Sequence, residues 1–260
     1  MTTTMLHSTP RGETREDPIK TRILVIACAT VIEEMLPLLP PDVGHRTVDF
    51  GFHTDPARLC KALQEAIDES SGRADTILLG YGLCSQGVIG LRANDCTLVV
   101  PRVDNCIAIF LGSTSAYKKQ SQSEPGTYYL TKGWIEVGEN PFSEYEKTVA
   151  KYGRERAERI YRIMLKNYTR LALINTGQYQ LEKYRHYARR TAERFKLRYE
   201  EIEGSTSLVT KMINGPWEDE FIVVPPGGVI EFEHFCGLFD GSLPTPSQYA
   251  HQKSRGSAVD

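Results

Sequence analysis

Short, dense apolar runs alternate with longer stretches of three-to-four spacing through the first half of the chain. Arg22–Cys28 (RILVIAC), Thr76–Leu79 and Thr97–Val100 are brief and stop at residues that suit a loop. Strands buried on both faces of a parallel sheet have this pattern. The first run closes on Cys28. The second leads into Gly80-Tyr81-Gly82-Leu83-Cys84, and the third into Pro101-Arg102-Val103-Asp104-Asn105-Cys106. Between them, Val31–Leu39 reads as a helix capped by Thr30 and stopped by Pro40-Pro41. Arg46–His53 reads as a second strand. Asp55 then caps a helix with Pro56 at its first position and Leu59, Leu63, Ala66 and Ile67 on its apolar face. Ile107–Leu111 is expected to enter a helix running toward Tyr117, and Lys118–Pro125 to be a polar loop.

The pattern then changes. Gly126–Glu136 is β-prone and aromatic, and Pro141–Lys166 is amphipathic over one long helix or two parted at Gly153. A second series follows: a run over Thr169–Gly177 that ends in a glycine turn, a helix over Gln178–Phe195, a strand near Arg198–Ile202, a helix opened by Gly204–Ser207, and a strand at Glu220–Val224. This order predicts an α/β fold with a doubly wound, mostly parallel sheet of Rossmann or flavodoxin-like kind. Two α/β lobes, 21–125 and 169–238, would be joined by the aromatic segment and helices of 126–168. One continuous sheet satisfies the same order. Residues 1–20 are expected to be a disordered leader and 239–260 a flexible tail.

Composition narrows the function classes. With 31 basic and 33 acidic residues the formal charge is -2, so nothing draws the chain generally to nucleic acid. No apolar run approaches the ~20 residues that span a bilayer, so no membrane role is expected. The polar beginning has no signal core, which predicts a cytoplasmic protein. In that compartment its 6 cysteines are too sparse for a disulfide scaffold, and clustered thiols point to metal binding or catalysis.

Cys28, Cys84 and Cys106 share one position type, just beyond a strand and at the way into a helix. A thiolate there is favoured by backbone N–H groups and the helix dipole. Soft thiolates select zinc, copper(I) or iron–sulfur centres. His53, ending another expected strand, supplies a fourth ligand, which favours zinc; a [4Fe-4S] cluster on the three thiols is the alternative. The same cysteines equally suit small apolar core positions or metal-free thiol chemistry. Cys60 and Cys96 read as structural, and His234 with Cys236 as a looser second pair.

Gly82 and Gly87 would let the backbone approach a ligand closely, although the loop lacks either phosphate-binding glycine fingerprint. Thr176, Gly177 and Ser205 lie in strand-to-helix turns whose N–H groups suit a carboxylate or phosphate, or simple helix capping. Arg102 would either pair with Asp104 or contact an anionic substrate.

Four phrases, LGYGLCSQGVIGL, PRVDNCIAIFLGS, GTYYLTKGWIE and EIEGSTSLVTKMINGPW, together resemble the family that carries the domain of unknown function DUF1638. The resemblance covers roughly residues 22–230 and implies a histidine near His53 paired with the strand-end cysteines. That family's third-cysteine loop often has a histidine before an aspartate, whereas here it reads Val103-Asp104-Asn105-Cys106. Members are often encoded beside corrinoid proteins and their methyltransferases. The resemblance therefore implies a setting in one-carbon metabolism, a small-molecule or corrinoid-linked substrate, and a corrinoid protein or methyltransferase as partner. A non-catalytic module binding a corrinoid protein or a small anion fits the same setting.

Overall fold

The computed structural model describes residues 23–138 and 140–236. The expected leader and tail, 1–20 and 239–260, lie outside the described residues. Two sheets organise the rest. The first has five strands: β1 (Ile23–Cys28), β2 (Gly44–Val48), β3 (Thr76–Gly80), β4 (Thr97–Pro101) and β8 (Phe221–Val224). Their order is β2-β1-β3-β4-β8, with β1 to β4 parallel and β8 antiparallel on β4. The second sheet, β5 (Thr127–Leu130), β6 (Arg170–Asn175) and β7 (Arg198–Glu203), is wholly parallel.

Nine α-helices accompany the strands among the described residues. Those of the first half are α1 (Ala29–Met35), α2 (Pro56–Ser70), α3 (Cys106–Leu111), α4 (Thr114–Ser123) and α5 (Lys132–Glu136). The others are α6 (Pro141–Tyr152), α7 (Arg154–Met164), α8 (Leu181–Phe195) and α9 (Ser207–Asn214). Gly153 parts α6 from α7 at a φ of 79°, in a region open to glycine.

Three expectations need correction. The strand expected over Arg46–His53 ends at Val48, because the Asp49 carboxylate accepts the Gly51 N–H at 2.7 Å and starts a 3-10 turn over Phe50–Thr54. The helix expected to run through Tyr117 breaks at Gly112, after which Ser113 caps α4 across the stretch expected to be a loop. The strand at the end of the second series returns to the first sheet as β8, so the second sheet holds only β6 and β7 of that series together with β5.

β6 is buried on both faces. Leu171 and Leu173 enter a core with Phe142, Tyr145, Tyr161 and Tyr184, while Ala172 and Ile174 enter the core of the first sheet. At its start the buried Arg170 donates to Thr127, Glu200 and Gln120, tying all three strands to α4. The two sheets meet where α5 lies on α1. A Cβ on Gly133 would stand 2.5 Å from the Thr30 carbonyl oxygen and 2.8 Å from its Cα. Gly133→Ala is therefore expected to cost about 1–3 kcal/mol by overpacking. A lower urea midpoint at unchanged slope would show it, and an unchanged midpoint would mean that the contact yields freely.

Candidate functional site

β1 has β2 on one side and β3 on the other, so the strand order reverses between β1 and β3. In open α/β sheets the crevice beyond the carboxyl ends at such a reversal is where ligands bind. Cys28 ends β1 there. It is fully buried, and its sulfur shares a 3.0 Å hydrogen bond with the Thr30 hydroxyl at the start of α1.

The loops beyond β3 and β4 are laced together. Leu83 N–H donates to the Val103 carbonyl at 2.8 Å, and Cys84 N–H to the Asp104 carbonyl at 3.0 Å. Gly82 permits this approach, since a Cβ would lie 2.8 Å from the Val103 oxygen and 2.9 Å from the Asn105 nitrogen. Cys84 has a φ of 46°, a left-handed conformation that few non-glycine residues adopt. The N–H groups of Gly82 and Cys106 face its sulfur. Cys106 opens α3, which the Asn105 side chain caps by accepting the Ile107 N–H at 3.0 Å. Gly87 also sits tightly, its absent Cβ replaced by the Leu59 side chain.

The three thiols feel one another. Burial, then the charge of Cys28, pushes the Cys84 thiol up to about 12. Burial, then the charges of Cys84 and Cys28, holds the Cys106 thiol well above its usual range. Burial also raises Cys28, against the Thr30 hydroxyl. Left alone, all three are neutral, because clustered thiolates out of water repel and lose hydration.

Two further groups stand beside them. Tyr81 follows β3, and its buried hydroxyl has no hydrogen-bond partner; burial and the three cysteine charges raise its pKa. His53 stacks on Tyr81, with ring centroids 5.8 Å apart, and on Phe50 at 4.8 Å. It lies in the 3-10 turn rather than at the end of a strand. Its Nδ1–H donates to the Phe50 carbonyl at 3.0 Å, leaving Nε2 as a buried lone pair without a partner. Burial lowers its pKa, so the ring is neutral near pH 7. A ligating histidine is commonly prepared in this way. Trp134 of α5 lies edge-on to Phe50 and Phe110.

In kind, three thiols and a lone-pair imidazole suit a soft cation. Their side chains are not arranged as a formed centre: among the described residues no group of three or more His, Cys, Asp or Glu could hold a metal ion. Cys28 ends β1 and Cys106 follows β4, strands two spacings or roughly 9–10 Å apart, and Cys28 points its sulfur at Thr30. Cys60 and Cys96 stand apart from this arrangement. The Cys60 thiol donates to the Ile89 carbonyl at 3.4 Å, and Cys96 is buried just ahead of β4, at the other end of the sheet. His234 is used in its own turn, accepting the Glu231 N–H at 3.1 Å, and Cys236 is exposed.

The remaining candidates fall into two places. Arg102 lines a cavity on the β8 side of the thiol loops and makes no pair with Asp104, whose carboxylate takes the Asn105 amide at 3.2 Å. Thr176, Gly177 and Ser205 sit at the carboxyl ends of β6 and β7, against α1 and α3. Gly177 N–H donates to the Asn175 side chain, and Ser205 N–H to the Phe110 carbonyl at 2.9 Å. Thr176 donates at 2.5 Å to Glu34, a carboxyl only 2% exposed whose other oxygen has no partner. Burial pushes Glu34 up to about 7, with the Thr176 hydrogen bond and nearby Lys132 acting in the opposite direction. Sequence reasoning passed over Glu34 and Tyr81. The signal for Glu34 was an acid three residues after Val31, on the apolar face of its helix.

No helix among the described residues is long and apolar enough to cross a membrane. No curated protein and no solved structure matches the chain. A family model does match, over residues 47–213, a stretch that includes His53, Cys84, Cys106, Thr176 and Ser205 but begins after Cys28. The chain therefore belongs to the family described as protein of unknown function (DUF1638).

Proposed function

We propose that this protein holds a soft metal centre on Cys28, Cys84 and Cys106, with His53 Nε2 or a substrate taking the fourth place. The observation that supports it most is three mutually coupled, buried thiols at a strand-order reversal, beside a histidine whose lone pair has no partner. A cation reverses the sign of the thiol repulsion and lets all three ionise. Zinc is favoured by the available imidazole, and a [4Fe-4S] cluster on the same thiols is the alternative. To reach a common ion, Cys28 would turn away from Thr30 while the linked loops close over β3. When bound, zinc with an open position would supply Lewis acidity to a small-molecule or corrinoid-linked substrate.

The Rossmann-like, doubly wound description belongs to this proposal, supported by the parallel order of β1 to β4. So does the setting in corrinoid-linked one-carbon metabolism, with a corrinoid protein or methyltransferase as partner, for which the family resemblance is the support. A second reading, a non-catalytic module that binds a corrinoid protein or small anion, is favoured by the ungathered side chains.

Elemental analysis and visible spectroscopy of anaerobically purified protein separate these. About one zinc per chain in a colourless protein, or iron with broad visible absorption, is expected. Metal-free protein with all 6 cysteines titratable would sink the metal centre and leave the binding module.

A further inference from the structure

Of the eight large apolar side chains exposed among the described residues, five stand between Tyr152 and Tyr168, a patch rather than the usual single scatter. Ile160, Ile163 and Met164 have the spacing that sets them side by side on α7, and Ile163 is 62% exposed. Folding does not use this stripe. Ala157 and Tyr161 already anchor the helix in a core with Leu171 and Leu173. The stripe lines, with Tyr152, a recess of about 1030 Å³ at the turn between α6 and α7.

The border of that recess is basic. Arg154, Arg156 and Arg159 stand there against the single acid Glu155, and none of the four makes an ion pair among the described residues. Arg156 lies over the Tyr152 ring at 5.3 Å, a stacking that leaves guanidinium N–H groups for an acceptor. Apolar contact bordered by arginine calls for a partner that is apolar and acidic together. A second copy of this chain does not meet that need, since a two-fold contact through α7 sets arginine against arginine. Nor do the outlying parts of this chain, because residues 1–22 and 237–260 hold no excess of acidic over basic residues. A recess receives a convex body better than a flat lipid surface, and a helix fits by laying anchors at three-to-four spacing along it. Methionine in such a groove adapts to the apolar side chains it meets.

We infer that the α7 recess docks an acidic amphipathic helix of a partner protein, its apolar stripe on Ile160, Ile163 and Met164 and its carboxylates on the arginines. The core side chains beneath α7, Leu171 and Leu173, leave β6 on the opposite face from Ala172 and Ile174, which enter the core of the first sheet. The surface is therefore separate from the thiols, and the inference stands whether or not they hold a metal.

The test follows the nitrogen-15 spectrum of the full chain while a synthetic helical peptide of leucine, alanine and glutamate is added. Its leucines recur at three-to-four spacing, and a control peptide replaces each glutamate with lysine. A saturable shift of the backbone signals of residues 152–164 is expected with the acidic peptide and none with the basic one. The double variant Arg156→Glu, Arg159→Glu should weaken the acidic peptide about tenfold and admit the basic one instead. Ile163→Ser should weaken it several-fold by removing apolar contact, which separates docking from attraction of charge alone. All three positions are exposed, so both variants should fold as the parent does. Their metal content should match the parent, which keeps a failure here distinct from failure of the thiol centre. No saturable shift, equal response to the two peptides, or unaltered affinity in the variants would overturn the site. Tighter binding to vesicles of phosphatidylcholine and phosphatidylserine than to the peptide would overturn it in favour of a membrane. A dimer in sedimentation that Ile163→Ser dissolves would overturn it in favour of a second copy.

Discussion

Replacing Cys28, Cys84 or Cys106 singly with serine is expected to remove most of the bound metal, while Cys60→Ser and Cys96→Ser retain it. Serine keeps the shape but is a poor donor for a soft ion, and ligands act as a set, so each loss should exceed about tenfold in affinity. The controls differ in position. Cys60 donates to a backbone carbonyl, and Cys96 lies just ahead of β4 rather than beyond it. Cys96→Ser should cost about 1–3 kcal/mol if its hydroxyl is buried without a partner, yet leave metal content alone. His53→Ala separates two roles. If Nε2 ligates the ion, metal retention falls; if the ring only shapes the site against Tyr81, metal content holds and reactivity changes. Elemental analysis of these variants beside the parent decides it. Equal metal in every protein, including none, would remove the metal centre.

The neighbourhood of the three thiols was legible because it follows from a strand rule rather than from a motif. Each cysteine ends, or closely follows, a brief apolar run, and consecutive parallel strands in such a fold lie close in space. β1, β3 and β4 are indeed adjacent. Other parts were silent for physical reasons. α4 buries no residue fully, so hydrophobic spacing had nothing to report, and its only signal was Ser113 after Gly112. Nothing in Phe221–Val224 names its partner, since an antiparallel edge pairing is set by the return path of the chain. His53 was visible as a candidate, but the Asx turn at Asp49 moved it off the strand. The pairing of Glu34 with Thr176 joins residues 142 positions apart and could not be read from either neighbourhood alone.

That pairing predicts a pH dependence of stability with an unusual sign for a carboxyl group. Glu34 is buried at the meeting of α1 and the end of β6, and burial pushes its pKa up to about 7 from the 4.5 usual for a glutamate. The folded protein therefore binds a proton there that the unfolded chain releases. Its contribution to stability is full below the unfolded pKa, declines as pH rises from about 4.5, and is gone once pH has passed through about 7. The shift corresponds to about 3 kcal/mol over the whole window. Most of it should be seen between pH 5 and 8. Glu34→Gln keeps an uncharged side chain of the same shape and can still accept the Thr176 hydroxyl, so it removes the proton linkage alone. The nearby charges are Glu33, paired with Lys132 at 2.8 Å, and Glu136, which accepts from Lys183 and Tyr184. Tyr179 and Tyr184 are raised by burial and titrate above this window. Urea unfolding of parent and variant at several pH values should show their stability difference growing by about 2–3 kcal/mol from pH 5 to 8, with the variant the more stable at high pH. Parallel profiles would mean that Glu34 is ionised in the folded protein throughout. The α1–β6 contact would then hold a charge, and Lys132 would be the group that compensates it.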